Sequence, residues 1–408
     1  MLTPRLKTGV FVLEGVNAVA ISLYFNYLFF YMRDHFGFSN RENLTMCAAS
    51  GLLYAVGVWF AGKFAQRRGY FPALKLGFGT MGLALLAGSV TRSLPGQWVV
   101  MLVWTLGMCL TWPCLEALTS EGEPPARLAR LIGIYNVVWA AGLGLAFFFG
   151  GALFEGLGSA GTFLVPAGLH AAQFVLVCGM ARHAPRVQVP TVAAAPVAAA
   201  GQEERRRSAI SPRVFLALAW VANPFAYVAM NTVIPVIPEV ASRFELSPKV
   251  AGFVCSIWML MRAVTFVLLW QWTAWHYRFR WLIGAYLGVV AAFATILLGR
   301  RLDLLIVAQV VFGAAVALIY YSSLYYSMDL GDTKGEHGGF HEAALGLGIF
   351  AGPAVGAASL HLRPESTAVN AWAVTALLVV GLGWLIVLRW RAGRRGAARA
   401  AVGDRQTG

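Results

Sequence analysis

The chain has 408 residues, 59% of them hydrophobic and only 12% charged, with a mean hydropathy of +0.66. One water-soluble core of that size cannot hide so much apolar surface, so hydrocarbon is the solvent that fits. The net charge of +14 would suit a nucleic-acid binder if it formed one polar patch, but its placement along the chain excludes that reading in favour of a membrane surface.

A bilayer is crossed by about 20 apolar residues in a helix. Such stretches are predicted at 9–31, 44–63, 73–91, 97–118, 131–154 and 162–182, and again at 213–238, 250–273, 281–298, 304–327, 342–361 and 368–389. Only eight residues precede the first span and no small-residue cleavage site follows it, so no removable signal peptide is expected. The two sets of six echo each other. Thr3-Pro4-Arg5 matches Ser211-Pro212-Arg213, and Phe36-Gly37-Phe38-Ser39 matches Phe244-Glu245-Leu246-Ser247, both 208 residues apart. Cys47 and Cys255 keep the same offset. The expected fold class is an all-α membrane protein of twelve transmembrane helices, arranged as two pseudo-symmetric six-helix bundles.

The bundles are expected at 1–182 and 213–389. Between them, 183–212 carries prolines, Ala193-Ala194-Ala195 and Glu203-Glu204-Arg205-Arg206-Arg207, the composition of a flexible linker. The basic, Ala/Gly-rich tail at 390–408 is expected to lose order beyond its first turn. With both termini in the cytoplasm, 23 of the 32 Lys and Arg fall on cytoplasmic segments, eight on the opposite side, and Arg262 alone inside a span. That asymmetry predicts a multi-pass plasma-membrane protein with cytoplasmic ends, in contact with lipid headgroups and not with nucleic acid. The five cysteines all fall in spans without metal-ligand spacing and read as small core residues.

Small residues recur at every fourth position in the fifth span (Gly142, Ala146, Gly150) and in the eleventh (Gly348, Gly352, Gly356, with Pro353). They let helix backbones approach closely. Two readings stand: packing alone, or helices that slide or bend at the interface between the halves.

Gly62-Lys63-Phe64-Ala65-Gln66-Arg67-Arg68-Gly69-Tyr70, between the second and third spans, resembles the Gly-x-x-x-Asp-Arg-x-Gly-Arg/Lys loop of the major facilitator superfamily. Gly62, Arg67 and Gly69 match, whereas Gln66 replaces the usual Asp and Tyr70 the usual base. Gly348 to Gly356 is similar to the family's Gly-x-x-x-Gly-Pro-x-x-Gly motif, here in the eleventh span instead of the fifth where drug/proton antiporters carry it. The fourth span also lacks the arginine of those antiporters. With twelve spans and the 6+6 duplication, the resemblance covers nearly the whole chain. It implies a central cavity lined by spans 1, 4, 7 and 10, alternating access, and spans 2, 5, 8 and 11 at the rocking interface.

Ionisable groups inside spans cost about 2.5–3.5 kcal/mol on insertion scales and so default to function. Arg262 at mid-span 8 is the candidate grip on a substrate anion, or the partner that holds Glu14. Glu14 in span 1 is the candidate proton carrier, one turn before Asn17 on the same face. Asn17 itself is a candidate for substrate binding. Further substrate-binding candidates are Asn223, Tyr227 and Asn231 in span 7, Tyr321 in span 10 and Trp112 in span 4. Aromatic faces with hydrogen-bonding edges suit a small polar organic ligand. His170 and Gln173 in span 6 read as structural, and Glu116 lies near the end of span 4. The loop after span 10 holds Asp329, Asp332, Glu336, His337, His341 and Glu342. A metal or hydrolytic site there is the weaker reading. The stronger is a gate in which Glu336 and Glu342 face Arg67 and Arg68.

The expected function is secondary active transport of a small polar or anionic organic solute, driven by a proton gradient. No ATP-binding loop, metal or cofactor is expected, and the chain is expected to act as a monomer and not as an enzyme. An exporter of amphiphiles, lipids or drugs is the alternative, followed by a non-transporting sensor or a membrane enzyme.

Overall fold

A computed structural model of the chain describes residues 3–120, 123, 125–183, 210–330, 336–366 and 368–406. For 125–126, 129, 328–329, 336–343 and 395–406 it describes the backbone alone. Every regular element among these residues is a helix, as lipid requires of a backbone that must satisfy its own N–H and C=O groups. In chain order they are α1 (Pro4–Phe36), α2 (Asn40–Arg68), α3 (Tyr70–Val90), α4 (Leu94–Ser120), α5 (Pro125–Leu157) and α6 (Ser159–His183). The second six are α7 (Pro212–Arg243), α8 (Pro248–Gln271), α9 (Phe279–Leu298), α10 (Leu302–Asp329), α11 (Glu336–Leu362) and α12 (Val369–Gln406). All twelve are long and apolar enough to cross a membrane. Each predicted span falls on one helix to within two residues. Ser256 interrupts α8, separating Pro248–Cys255 from Ile257–Gln271.

The repeated tetrapeptides are capping chemistry. Gly37 ends α1 in the left-handed region (φ 67°), and Ser39 then opens α2, its N–H donating to Glu42 Oε2 at 2.9 Å. In the second half Glu245 takes the same positive φ (53°), and Ser247 caps α8 with Pro248 behind it. The linker at 184–209 lies outside the described residues. The tail departs from expectation: α12 continues to Gln406. Arg and Ala are strong helix formers, and basic residues at a helix C-terminus complement its dipole.

Within the first half α1 packs on α5 and α6, and α3 on α4 and α6; in the second, α7 packs on α11 and α12, and α9 on α10 and α12. Two seams join the halves, α2 against α11 and α5 against α8. The glycines of the predicted small-residue stripes mostly seat helices of their own half and not these seams. A Cβ on Gly142 would meet Ala18, and one on Gly150 would meet Leu23, so the α5 stripe seats α1 of its own half. Gly348 likewise lies against Tyr227 and Gly352 against Val228 of α7. Of the stripe glycines only Gly356 reaches across, to Leu44. The seams use other glycines: Gly51 on the Ile349 backbone, Gly346 on Ala55, Gly144 on Leu260 and Gly151 on Lys249. A helix in a six-helix bundle has close neighbours on several sides, and periodicity does not say which neighbour a stripe serves.

Twelve crossings bring both chain ends to one face, called here the terminal face; the other is the far face. Arg67 and Arg68 stand exposed at the end of α2 on the terminal face. The side chains of their predicted gate partners, Glu336 and Glu342, lie outside the described residues.

Candidate functional site

Between the seams lies a cavity with about 160 Å³ of room for water-sized molecules. From α1 come Ile21, Ser22, Phe25 and Asn26, from α4 Met108, Trp112 and Glu116, and from α7 Tyr227, Met230, Asn231 and Ile234. The seam helices line it too, through Tyr54, Tyr135, Trp139, Trp258, Met259, Arg262 and Ile349, whereas α10 contributes Tyr320. The expected 1, 4, 7, 10 lining is therefore incomplete. The halves lean together along α2–α11 and α5–α8, so the inner flanks of those helices also face the cavity.

The far face is shut. Asn43 Nδ2 donates to Pro235 O at 3.2 Å, Lys249 N–H donates to a Glu155 carboxylate oxygen at 2.7 Å, and the Phe148 and Phe253 rings sit 4.6 Å apart. Cys47 adds a weak donation to Asn231 O at 3.5 Å. These links between the halves lie on the far-face side of the cavity or at its rim, whereas Glu116 and Tyr135 line it toward the terminal face.

Two ionisable side chains, Arg262 and Glu116, line the cavity. Arg262 is 5% exposed, with its guanidinium 4.4 Å from the Trp139 ring centre, 5.3 Å from Tyr320 and 5.6 Å from Phe266. Rings whose faces carry negative charge stabilise the cation. Its Nη1 donates only to Met230 Sδ at 3.4 Å, and Nε and Nη2 have no acceptor among the described residues. The sequence left open whether Arg262 holds Glu14. No such ion pair forms here.

Glu14 lies behind the wall, fully buried, where Oε1 accepts from Trp112 Nε1 at 3.1 Å and the Tyr135 hydroxyl stands beside the carboxyl. Trp112 lines the cavity, so one side chain joins the buried acid to the cavity surface.

Of the predicted binding residues, Arg262, Trp112, Tyr227 and Asn231 meet on the cavity wall. Asn17, Asn223 and Tyr321 do not. Tyr321 follows Tyr320 by about 100° around α10 and packs on Trp275 at 5.8 Å instead. Asn17 is buried within the first half with neither amide atom hydrogen-bonded among the described residues, and Asn223 is buried off the wall. His170 and Gln173 hold α6 to α1: His170 Nδ1 lies 2.8 Å from Gln173 Oε1, and Gln173 Nε2 donates to Leu13 O. That agrees with their structural reading.

Tyr54 and Trp139 were missed. The repeat carried a signal for Tyr54, which stands 208 residues before Arg262, and both line the cavity. Trp139 had its spacing from Tyr135, one turn earlier on the same face. Lys7 was also missed. It is counted among surface charges by sequence, yet its ammonium is buried on Leu118 O and Thr119 O, 2.9 Å each, and pairs with Glu123 at 3.1 Å.

Solved structures share this architecture. The human organic anion transporter MFSD10 (TETRAN) aligns over 94% of this chain and 100% of its own, at 17% identity and a TM-score of 0.65. The nucleoside transporter NupG covers 96% and 98% at 13% identity with a TM-score of 0.63. A bacterial homolog of the human lysosomal transporter Spinster, inward-facing and unoccupied, covers 97% and 98% at 14% identity with a TM-score of 0.65. At such identities the likeness establishes the fold and carries no substrate. No curated protein sequence matches the chain. The profile of the Major Facilitator Superfamily matches residues 10–353, from α1 into α11. With twelve membrane-spanning helices, a cavity between two halves and that match, the chain belongs to the major facilitator superfamily and is a transporter, not an enzyme.

Proposed function

We propose that the protein is a secondary active transporter of a small polar or anionic organic solute, coupled to protons through Glu14, in the plasma membrane with both ends cytoplasmic. The observation that carries the reading is the Arg262 guanidinium on the cavity wall, with two of its nitrogens lacking an acceptor among the described residues. Buried charge without a partner is costly, and an anionic solute supplies the partner. The present conformation, shut at the far face, is one of the two that alternating access requires. Opening of the α5–α8 and α2–α11 seams at the far face, with closure around Trp112 and Tyr227, gives the other.

Glu14 suits proton carriage because no cation pairs with it among the described residues, while Trp112 connects it to the cavity. A solute that displaces Trp112 changes the donor set of the acid, which links solute and proton. The test is proteoliposome uptake of labelled solutes with and without an imposed pH gradient. Glu14→Gln abolishes gradient-driven accumulation while solute exchange at equal pH continues. Undiminished accumulation by that variant removes Glu14 from the mechanism. An exporter of amphiphiles is the second reading, favoured by the mostly apolar side chains of the wall. It predicts drug or lipid efflux from cells that Arg262→Ala leaves intact.

A further inference from the structure

We propose that the solute is a monocarboxylate on a flat, aromatic body, whose carboxylate docks in the plane of Arg262 on its Nε–Nη2 edge. This rests on the transport reading and narrows it to one chemical class.

The guanidinium offers two faces and two usable edges. The Trp139 ring centre lies 4.4 Å from the guanidinium and that of Tyr320 5.3 Å, so a ligand ring cannot stack on the guanidinium without displacing one of them. Nη1 is turned to Met230 Sδ. What is left is the side bearing Nε–H and one Nη2–H, and neither atom has an acceptor among the described residues. Two parallel N–H donors in one plane match the two oxygens of a carboxylate. Both nitrogens are closed off from water in this conformation, so the carboxylate reaches them as a neighbouring side chain swings aside.

Charge limits the anion to one unit. No second Lys, Arg or His lines the described wall, and the other ionisable group there is the carboxyl of Glu116. A phosphate monoester carries about 1.5–2 negative charges at pH 7, and a dicarboxylate carries two. Arg262 neutralises one, and the remainder would have no cation beside it on the described wall of a poorly hydrated cavity. The rest of the ligand meets Phe25, Tyr54, Trp112, Tyr227 and Trp258. Flat rings stack on such aromatic walls.

The experiment is calorimetric titration of the purified, unmodified protein in lipid nanodiscs with four matched probes. They are 2-naphthoate, 2-naphthamide, 2-naphthyl phosphate and the saturated decahydro-2-naphthoate. Counterflow of labelled 2-naphthoate into proteoliposomes runs in parallel. Naphthoate is expected to bind at least tenfold more tightly than each of the other three. Arg262→Lys, which keeps the charge and loses the fork, is expected to weaken naphthoate several-fold, and Arg262→Gln to erase its advantage over the amide. Because the probe series uses the unmodified protein, a variant that fails to fold does not decide the matter. Naphthoate binding no tighter than the amide or the phosphate, including no binding at all, overturns the proposal. If a cell-based uptake screen then finds a neutral or phosphorylated solute carried, the transporter reading stands and this narrowing falls. If the screen finds no solute carried, the transporter reading fails as well.

Discussion

Gly151 sets how closely the far face shuts. A Cβ built there lies 2.8 Å from Lys249 Cα and closer still to the Pro248 carbonyl oxygen. Both are backbone atoms at the start of α8, so no side chain can rotate out of the way. Carbon atoms rest at about 3.5–4.0 Å, so Gly151→Ala forces α5 and α8 apart by roughly 1 Å. Overpacking of this kind costs about 1–3 kcal/mol. The contact spans the two halves, so the cost falls on the far-closed conformation and is relieved when that face opens. A difference of about 1–3 kcal/mol is a shift of about 5–150-fold between the two states. The assay is thiol labelling of Leu44→Cys in a cysteine-free background. Leu44 is buried beneath the far-face closure, against Gly356. Gly151→Ala should raise its labelling rate by a polar maleimide within that range. Gly168→Ala, where an added Cβ meets nothing within 4 Å, should leave it unchanged. Equal labelling in both variants, with normal transport, would refute the assignment of α5–α8 contact as the far gate.

Glu155→Ala removes the acceptor of the Lys249 N–H at 2.7 Å, an anion at a helix N-terminus worth about 0.3–1 kcal/mol. It should raise the same labelling rate up to about fivefold and less so at high salt; no change at low salt argues against a latch. His276, in the loop between α8 and α9, is stacked on Tyr325 at 3.9 Å, and burial pushes its imidazole down to about 4. The unfolded chain takes up this proton below about pH 6.5 and the folded one only below about 4, so its contribution to stability is full above pH 6.5. It falls through that window at up to about 1.4 kcal/mol per pH unit, about 3 kcal/mol in all. His276→Phe keeps the stacked ring and should flatten the decline in melting temperature between pH 7 and 5 in detergent. An identical pH dependence in the variant would show that His276 is not its source.

The sequence by itself determined the class, the number of crossings and the duplication. Each follows from a local or additive property: apolar length is set by the bilayer, Lys and Arg counts by topology, and Ser39 and Ser247 by the capping that begins α2 and α8. The pieces of the site that it made legible are those with no cheap place elsewhere in a span. Arg262 and Glu14 had to face something other than lipid, and they do. Tertiary structure decided the neighbours. Tyr320 reaches the cavity and Tyr321 does not, because one residue is about 100° around a helix and only packing fixes which direction is inward. The Gly142–Gly150 stripe serves α1 inside its own half, while Gly144 and Gly151 of the same helix meet α8 across the seam. Glu14 binds Trp112 and not Arg262, because two charges in neighbouring helices pair only if rotation and depth of both agree. Those are properties of how twelve helices settle against one another, and no single span encodes them.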